Sequence, residues 1–206
     1  MNTIEKYNVS RETIADLETF QTLVLEWNNK FNLISKSSEK DIWNRHIVDS
    51  LQLVEYIQNK NNTIYDFGSG AGFPGIVLAI YAKNNSLDWQ ITLVESIRKK
   101  ANFLSEVKNK LNLNIEIIND RIENLKIKKT DIITSRALGS LEKLFEYVFP
   151  FFKKDTKLIF PKGASWQTEL KKAQTKWLFN YKYYPSITNN ESVILVIENL
   201  RRKKHG

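Results

Sequence analysis

The chain has 206 residues, 42% hydrophobic and 26% charged, with no cysteine and two histidines, His46 and His205. That is room for one full-sized core, and it excludes disulfides, a cysteine nucleophile and thiolate or histidine-rich metal sites. The net charge of +8 suits a polyanionic partner or, as the plainer reading, a solvated lysine face.

The start, Met-Asn-Thr-Ile-Glu-Lys-Tyr, is polar and carries no secretory pattern. No apolar run nears the roughly 18 to 20 residues of a membrane helix. A cytosolic protein without membrane or metal is therefore expected. Residues 11–31 place Ile14, Leu17, Phe20, Val24, Trp27 and Phe31 at spacings of three and four, which predicts an amphipathic helix. A second helical pattern covers residues 39–57, and Ser38 followed by Asp41 resembles a capping box at its start. Residues 1–60 are thus expected as a helical extension packed on a core domain of residues 61–206.

From Thr63 the pattern changes. Thr63–Phe67, Ile91–Val94, Ile115–Ile118, Ile132–Thr134 and Lys157–Phe160 read as short buried strands. Helices are expected over Gly75–Ala82, Ile97–Leu111 and Ser140–Pro150, the first with Pro74 near its first turn. The last elements, near Lys182–Tyr184 and Ser192–Glu198, follow one another closely and predict an antiparallel pair at the sheet edge. Alternating strands and helices give an α/β fold with an open, mostly parallel sheet. Residues 151–206 hold 12 Lys and Arg against 4 Asp and Glu, an excess equal to the whole net charge. The Arg201-Arg202-Lys203-Lys204 run reads equally as a tail or as part of a site.

Four of the seven glycines fall at Gly68, Gly70, Gly72 and Gly75, between the first strand and the first helix of the sheet. Glycine there permits positive φ and lets a ligand approach the backbone, and this turn is the usual crevice of a doubly wound sheet. No Gly-Lys-Ser/Thr is present, so a Walker loop is excluded. Gly70, Gly72 and Gly75 nearly fit a dinucleotide motif, with Glu95 ending the second strand as a ribose acceptor. Asp66 separates the two readings: a carboxylate beside the loop serves a pyrophosphate poorly, and Asp-x-Gly-x-Gly-x-Gly resembles the first motif of class I methyltransferases, where the acid helps hold the methionine or ribose end of the cofactor.

Further stretches match one family in order. They are Trp27-Asn28-Asn29-Lys30-Phe31-Asn32-Leu33, Arg45-His46-Ile47-Val48-Asp49-Ser50-Leu51, the loop Gly68–Gly75, Glu95-Ser96 with Lys99-Lys100, Arg121-Ile122-Glu123, and Ser135-Arg136-Ala137. Together they resemble the RsmG family, also called glucose-inhibited division protein B, whose members are 16S ribosomal RNA guanine-N(7)-methyltransferases. The resemblance implies a class I, Rossmann-like S-adenosylmethionine-dependent methyltransferase domain with the small ribosomal subunit as partner; a monomer is expected. It implies cofactor contacts from Asp66, Gly68, Ser69, Gly70, Gly72, Phe73, Glu95, Ile122, Glu123 and Arg136. RNA contacts are expected from Arg45, His46, Lys99, Lys100, Arg136 and Lys162, each of which also reads as an ordinary surface or core residue. The methylated position comes from the resemblance alone. The chemistry agrees with it: guanine N7 carries an in-plane lone pair and no proton, so direct displacement needs alignment and electrostatics rather than a general base. No residue is assigned as acid or base. Three other functions stay open on the residues: a methyltransferase on another RNA or a small molecule, a nicotinamide-dependent oxidoreductase, and a non-catalytic RNA-binding module.

Overall fold

The computed structural model describes residues 4–7 and 9–203. Strands β1 (Asn61–Phe67), β2 (Asp88–Val94), β3 (Ile115–Ile118), β4 (Ile132–Thr134), β5 (Lys157–Lys162), β6 (Trp177–Pro185) and β7 (Val193–Arg202) form one sheet in the order β3-β2-β1-β4-β5-β7-β6. Strands β1 to β5 pair in parallel, and β7 runs antiparallel to both β5 and β6. The reversed strand therefore lies one in from the edge, with β6 outside it. Strand order turns back between β1 and β4, and the loops leaving their carboxyl ends open a crevice there. The central strands read as unbroken apolar runs because both sheet faces are covered: Ile64, Tyr65, Asp66 and Phe67 are all buried.

One face is covered by α1 (Arg11–Asn28), α4 (Gly75–Asn84) and α5 (Arg98–Lys110), which share a core with the inward residues of β2 and β3. Helix α4 is apolar all round because α1 and the short α3 (Asp49–Leu51) pack on its outer side, as a helix between two layers must be. The Trp27 motif is structural. Its indole donates to Glu106 at 3.0 Å and packs 5.4 Å from Phe103, and Asn28 Oδ1 accepts from Leu33 and Ile34 N–H at 2.7 and 2.9 Å to cap the turn after α1.

The long second helix expected over residues 39–57 is broken up. A single-turn α2 (Lys36–Glu39) precedes a π-helical stretch, Trp43–Val48, then α3 and a 3-10 stretch, Gln52–Tyr56. Ser38 does not cap it: its hydroxyl donates to Ser35 O at 2.8 Å, and Ser35 stands at the start of α2. Such π-turns occur at functional sites, and this one carries Arg45 and His46.

The opposite face is covered by α6 (Leu141–Val148) and α7 (Trp166–Ala173) over Phe145, Trp177 and the inward residues of β5 and β7. Helix α7 was not expected from the sequence; its apolar stripe is only Trp166, Leu170 and Ala173, too short to stand out as a period. Arg201 and Arg202 belong to β7 rather than to a tail, and Arg202 lies over the Trp177 ring at 5.0 Å. Lys204 and His205 fall outside the described residues.

Candidate active site

Asp66, Glu95 and the glycine loop meet at the carboxyl ends of β1 and β2. Gly68, Gly70 and Gly72 take φ of +71°, +56° and +90°, a region that favours glycine. Gly68 and Ser69 N–H donate to Val94 O at 2.9 and 3.1 Å, which fixes the loop to β2. The glycines differ in what their missing side chains allow. A Cβ on Gly68 would meet Leu138 at 2.6 Å, one on Gly72 would meet Ile76 at 2.6 Å, and one on Gly75 would meet Leu93 at 2.2 Å and Asp66 Oδ2 at 2.6 Å. At Gly70 the nearest atom is Gly68 O, 3.8 Å away. Three of the four glycines thus serve internal packing, and Gly70 alone faces open space.

Asp66 is fully buried, and its Oδ2 accepts the Gly75 N–H at 3.1 Å at the start of α4. Burial pushes its carboxyl up from 3.8 to about 7, because a charge there loses water without full compensation. Its Oδ1 is buried with no hydrogen-bond partner. Glu95 bridges the loop and α5, accepting from Gly70 N–H at 2.9 Å and Ile97 N–H at 2.7 Å. Beside them lies a small cleft of about 140 Å³ lined by Gly68, Val94, Ser96, Asp120, Arg121, Ile122, Glu123, Leu138 and Tyr147. Phe73 lines no such space. Its buried ring lies 5.0 Å from Phe20 and 4.9 Å from the His46 ring, so it anchors the loop to the N-terminal helices.

The loop after β4 forms a wall between this cleft and a larger one. Leu138 lines the small side; Arg136, Ala137 and Gly139 line a cleft of about 600 Å³ with Asp41, Arg45, Asp49, Pro161, Lys162 and the turn before β7. Ala137 takes φ of +59° to make that turn. Arg136 Nη2 contacts His46 Nδ1 at 2.6 Å and donates to Arg45 O at 3.0 Å, and its Nη1 stands 3.5 Å from Asp49 Oδ2. Arginine only donates, so His46 Nδ1 accepts and its proton sits on Nε2. Burial, with the charges of Arg136 and Arg45, pulls the imidazole down to about 3. His46 is therefore a neutral strut, with Nε2 buried and unpartnered. Asp49 Oδ1 in turn accepts from Gln52 Nε2 at 2.9 Å and Thr188 Oγ1 at 2.8 Å, tying the N-terminal helices to the β6–β7 turn.

With two clefts meeting at one wall on a sheet of this order, the comparisons decide the family. A family model described as rRNA small subunit methyltransferase G (GidB) matches residues 13–195. The chain belongs to this family.

Relatives named ribosomal RNA small subunit methyltransferase G come from Orientia tsutsugamushi (strain Ikeda), 44% identical over 93% of each chain, and Rickettsia bellii (strain OSU 85-389), 42% identical over 95% of this chain and 98% of that one. Among solved structures, a SAM-dependent methyltransferase from Aquifex aeolicus superposes with a TM-score of 0.59 at 16% identity, covering 79% of this chain and 94% of that one. A putative methyltransferase from Methanococcus maripaludis gives a TM-score of 0.57 at 16% identity, covering 79% and 89%. These likenesses show the class I methyltransferase fold.

Seen as a member of the GidB family, the chain brings most of its expected residues together. Gly68, Ile122 and Glu123 line the small cleft, with Asp66, Ser69, Gly70 and Glu95 in the loop and strand ends beside it. Arg45 and Arg136 line the larger one rather than the small one, with His46 behind Arg136. Lys162 lines the larger cleft, but its ammonium donates to Gly139 O at 3.0 Å and to Glu169 at 2.8 Å, which neutralises it. Lys99 and Lys100 line neither cleft; they sit on the first turn of α5, with Lys99 4.7 Å over the Phe31 ring. The sequence pattern did not single out Asp120, Leu138 and Tyr147 in the small cleft, or Asp41 and Thr188 in the larger; Asp49, within the Arg45–Leu51 motif, does line the larger one. Asp120, two residues past β3 at the sheet's carboxyl end, was within reach of a strand-end argument; Tyr147, on α6, carried no local signal.

Proposed function

We propose that this chain transfers the methyl group of S-adenosylmethionine to N7 of a guanine in 16S ribosomal RNA, with the cofactor in the small cleft and the base in the larger one. The observation that carries the reading is the pair of clefts sharing the Arg136–Leu138 wall. The residues fit the cofactor: Gly70 leaves room above the loop, Glu95 offers a carboxylate at the end of β2 where a ribose would be held, Asp66 Oδ1 lacks a partner, and Ile122 gives an apolar wall for a purine. When bound, S-adenosylmethionine supplies an electrophilic sulfonium methyl.

The protein's task is alignment and charge. Guanine N7 has no proton to lose, and His46, the described histidine, has Nδ1 engaged by Arg136 and stays neutral. The purine gains positive charge as it is methylated, and the carboxylate of Asp41 on the larger cleft favours that charge, whereas the Asp49 carboxylate is paired with Arg136. Asp49 thereby holds Arg136 in place at the edge of that cleft, with its guanidinium engaged by His46, Arg45 O and Asp49. Membership of a methyltransferase family removes the nicotinamide alternative. The test is methyl transfer from labelled S-adenosylmethionine to small subunits, and to their extracted RNA, from cells lacking the modification. Label at one guanine N7 is expected; label at another atom or none, with cofactor bound, overturns the assignment of substrate.

A further inference from the structure

We propose that the outer edge of the sheet, beside the larger cleft, is a stacking platform for unpaired nucleotides flanking the target; it rests on the RNA reading above. Strand β6 is the sheet's outermost strand. Its register sets Tyr181 opposite Ile197 and Tyr183 opposite Leu195. Both partners belong to the core under α6 and α7, so the two tyrosines stand on that face, as a period of two requires. The core stops short of them: Tyr181 is 40% exposed and Tyr183 53%. Trp166 lies 4.8 Å from the Tyr183 ring and Phe179 lies 6.1 Å from Tyr181. Four aromatic rings thus follow one another along a half-open face.

Position and charge both favour RNA as the occupant. Pro185, two residues beyond Tyr183, pairs with Val193, which lines the larger cleft. Trp166 N–H donates to the carbonyl of Gly163, on the same cleft, at 3.0 Å. The platform therefore continues the rim of the cleft. Residues 151–206 hold 12 Lys and Arg against 4 Asp and Glu. Lys172 and Lys176 converge on Glu142, whereas exposed Lys171 on α7 makes no ion pair among the described residues; Lys182, opposite Val196, stands on the other face of β6. A second copy would bring the same positive charge and be repelled. An unpaired RNA segment brings phosphates for Lys171 and bases whose flat faces stack on any aromatic ring. A duplex keeps its base faces inside the helix and gains nothing from the platform.

The experiment measures fluorescence anisotropy of a labelled single-stranded RNA of about twelve nucleotides, free and annealed to its complement. The double substitution Tyr181→Ser with Tyr183→Ser is expected to weaken single-strand affinity about tenfold or more, since it removes two base-stacking faces, and to leave duplex affinity unchanged. Tyr181→Phe with Tyr183→Phe keeps the ring faces and should bind as the unchanged protein does. Unchanged single-strand affinity in the serine variant overturns the proposal. So does an equal loss for the duplex, or a dimer of the unchanged protein that the serine variant splits into monomers. Stabilisation by S-adenosylhomocysteine is recorded alongside, and its retention shows the variants folded. Its absence in the unchanged protein, or absence of methyl transfer, would sink the methyltransferase reading while leaving the binding comparison to be read by itself.

Discussion

At the scale of single residues, Gly70 and Asp66 separate ligand from packing. Gly70→Val should abolish binding of S-adenosylhomocysteine in calorimetry, but a left-handed φ of +56° also strains a branched residue. Gly70→Asn tolerates that backbone and still fills the space, so its loss of affinity would report the ligand's volume; full affinity there would show that no ligand passes this side of the loop. Asp66 titrates near 7 folded and near 3.8 as the ordinary carboxylate. Between these values the folded chain holds a proton the unfolded chain has lost, so stability falls as pH rises through the window. His46, pulled down to about 3, acts in the opposite sense, because acid protonates the unfolded chain first. Asp66→Asn should therefore raise the melting temperature at about pH 8 and change it little at about pH 4. Thermal scans giving a lower value at the higher pH would mean that the carboxylate's bonds outweigh its burial.

At the scale of elements, the start of α4 is fitted to β1 and β2 through one missing methyl. A side chain at Gly75 would meet Leu93 at 2.2 Å and the Asp66 carboxylate at 2.6 Å. Gly75→Ala gains helix propensity of up to about 1 kcal/mol, yet overpacking costs about 1–3 kcal/mol. It would also push Asp66 from the loop. A net loss of stability, seen as a lower urea midpoint together with weaker cofactor binding, is the expected result; a more stable protein would show that Leu93 and Asp66 yield freely. Local periodicity foretold β1 to β5 and α1, α4, α5 and α6 to within a few residues; the expected strands near residues 182–184 and 192–198 extend to Trp177–Pro185 and Val193–Arg202. It did not foretell the break at residues 40–56, where the chain turns irregular to bring His46 and Asp49 onto Arg136, nor α7, whose buried stripe is three residues long.

At the scale of the whole molecule, the positive charge gathers in residues 151–206, from just before β5 through β7. If that surface meets phosphate, Lys171→Gln should lower the slope of log affinity against log salt by about 1 for single-stranded RNA, and Lys182→Gln, on the other face of β6, should leave it unchanged. An unchanged slope in the Lys171 variant would return that lysine to the solvated-face reading. The Asp49 contacts to Gln52, Thr188 and Arg136 join three distant parts of the chain around the larger cleft. The N-terminal helices share one continuous core with α4 and α5.

The sequence by itself determined the layered α/β fold and the place of the loop, because strand alternation, glycine spacing and the acids at strand ends are local properties of a chain. Family motifs added the identity of the chemistry. Only the tertiary structure decided which glycine faces open space, since Gly68 owes its identity to Leu138, seventy positions away in the chain. It also decided that Phe73 is an anchor and that Lys162 is neutralised by Glu169. Contacts between distant residues depend on how elements pack, and no periodicity in one segment records which partner another segment will bring.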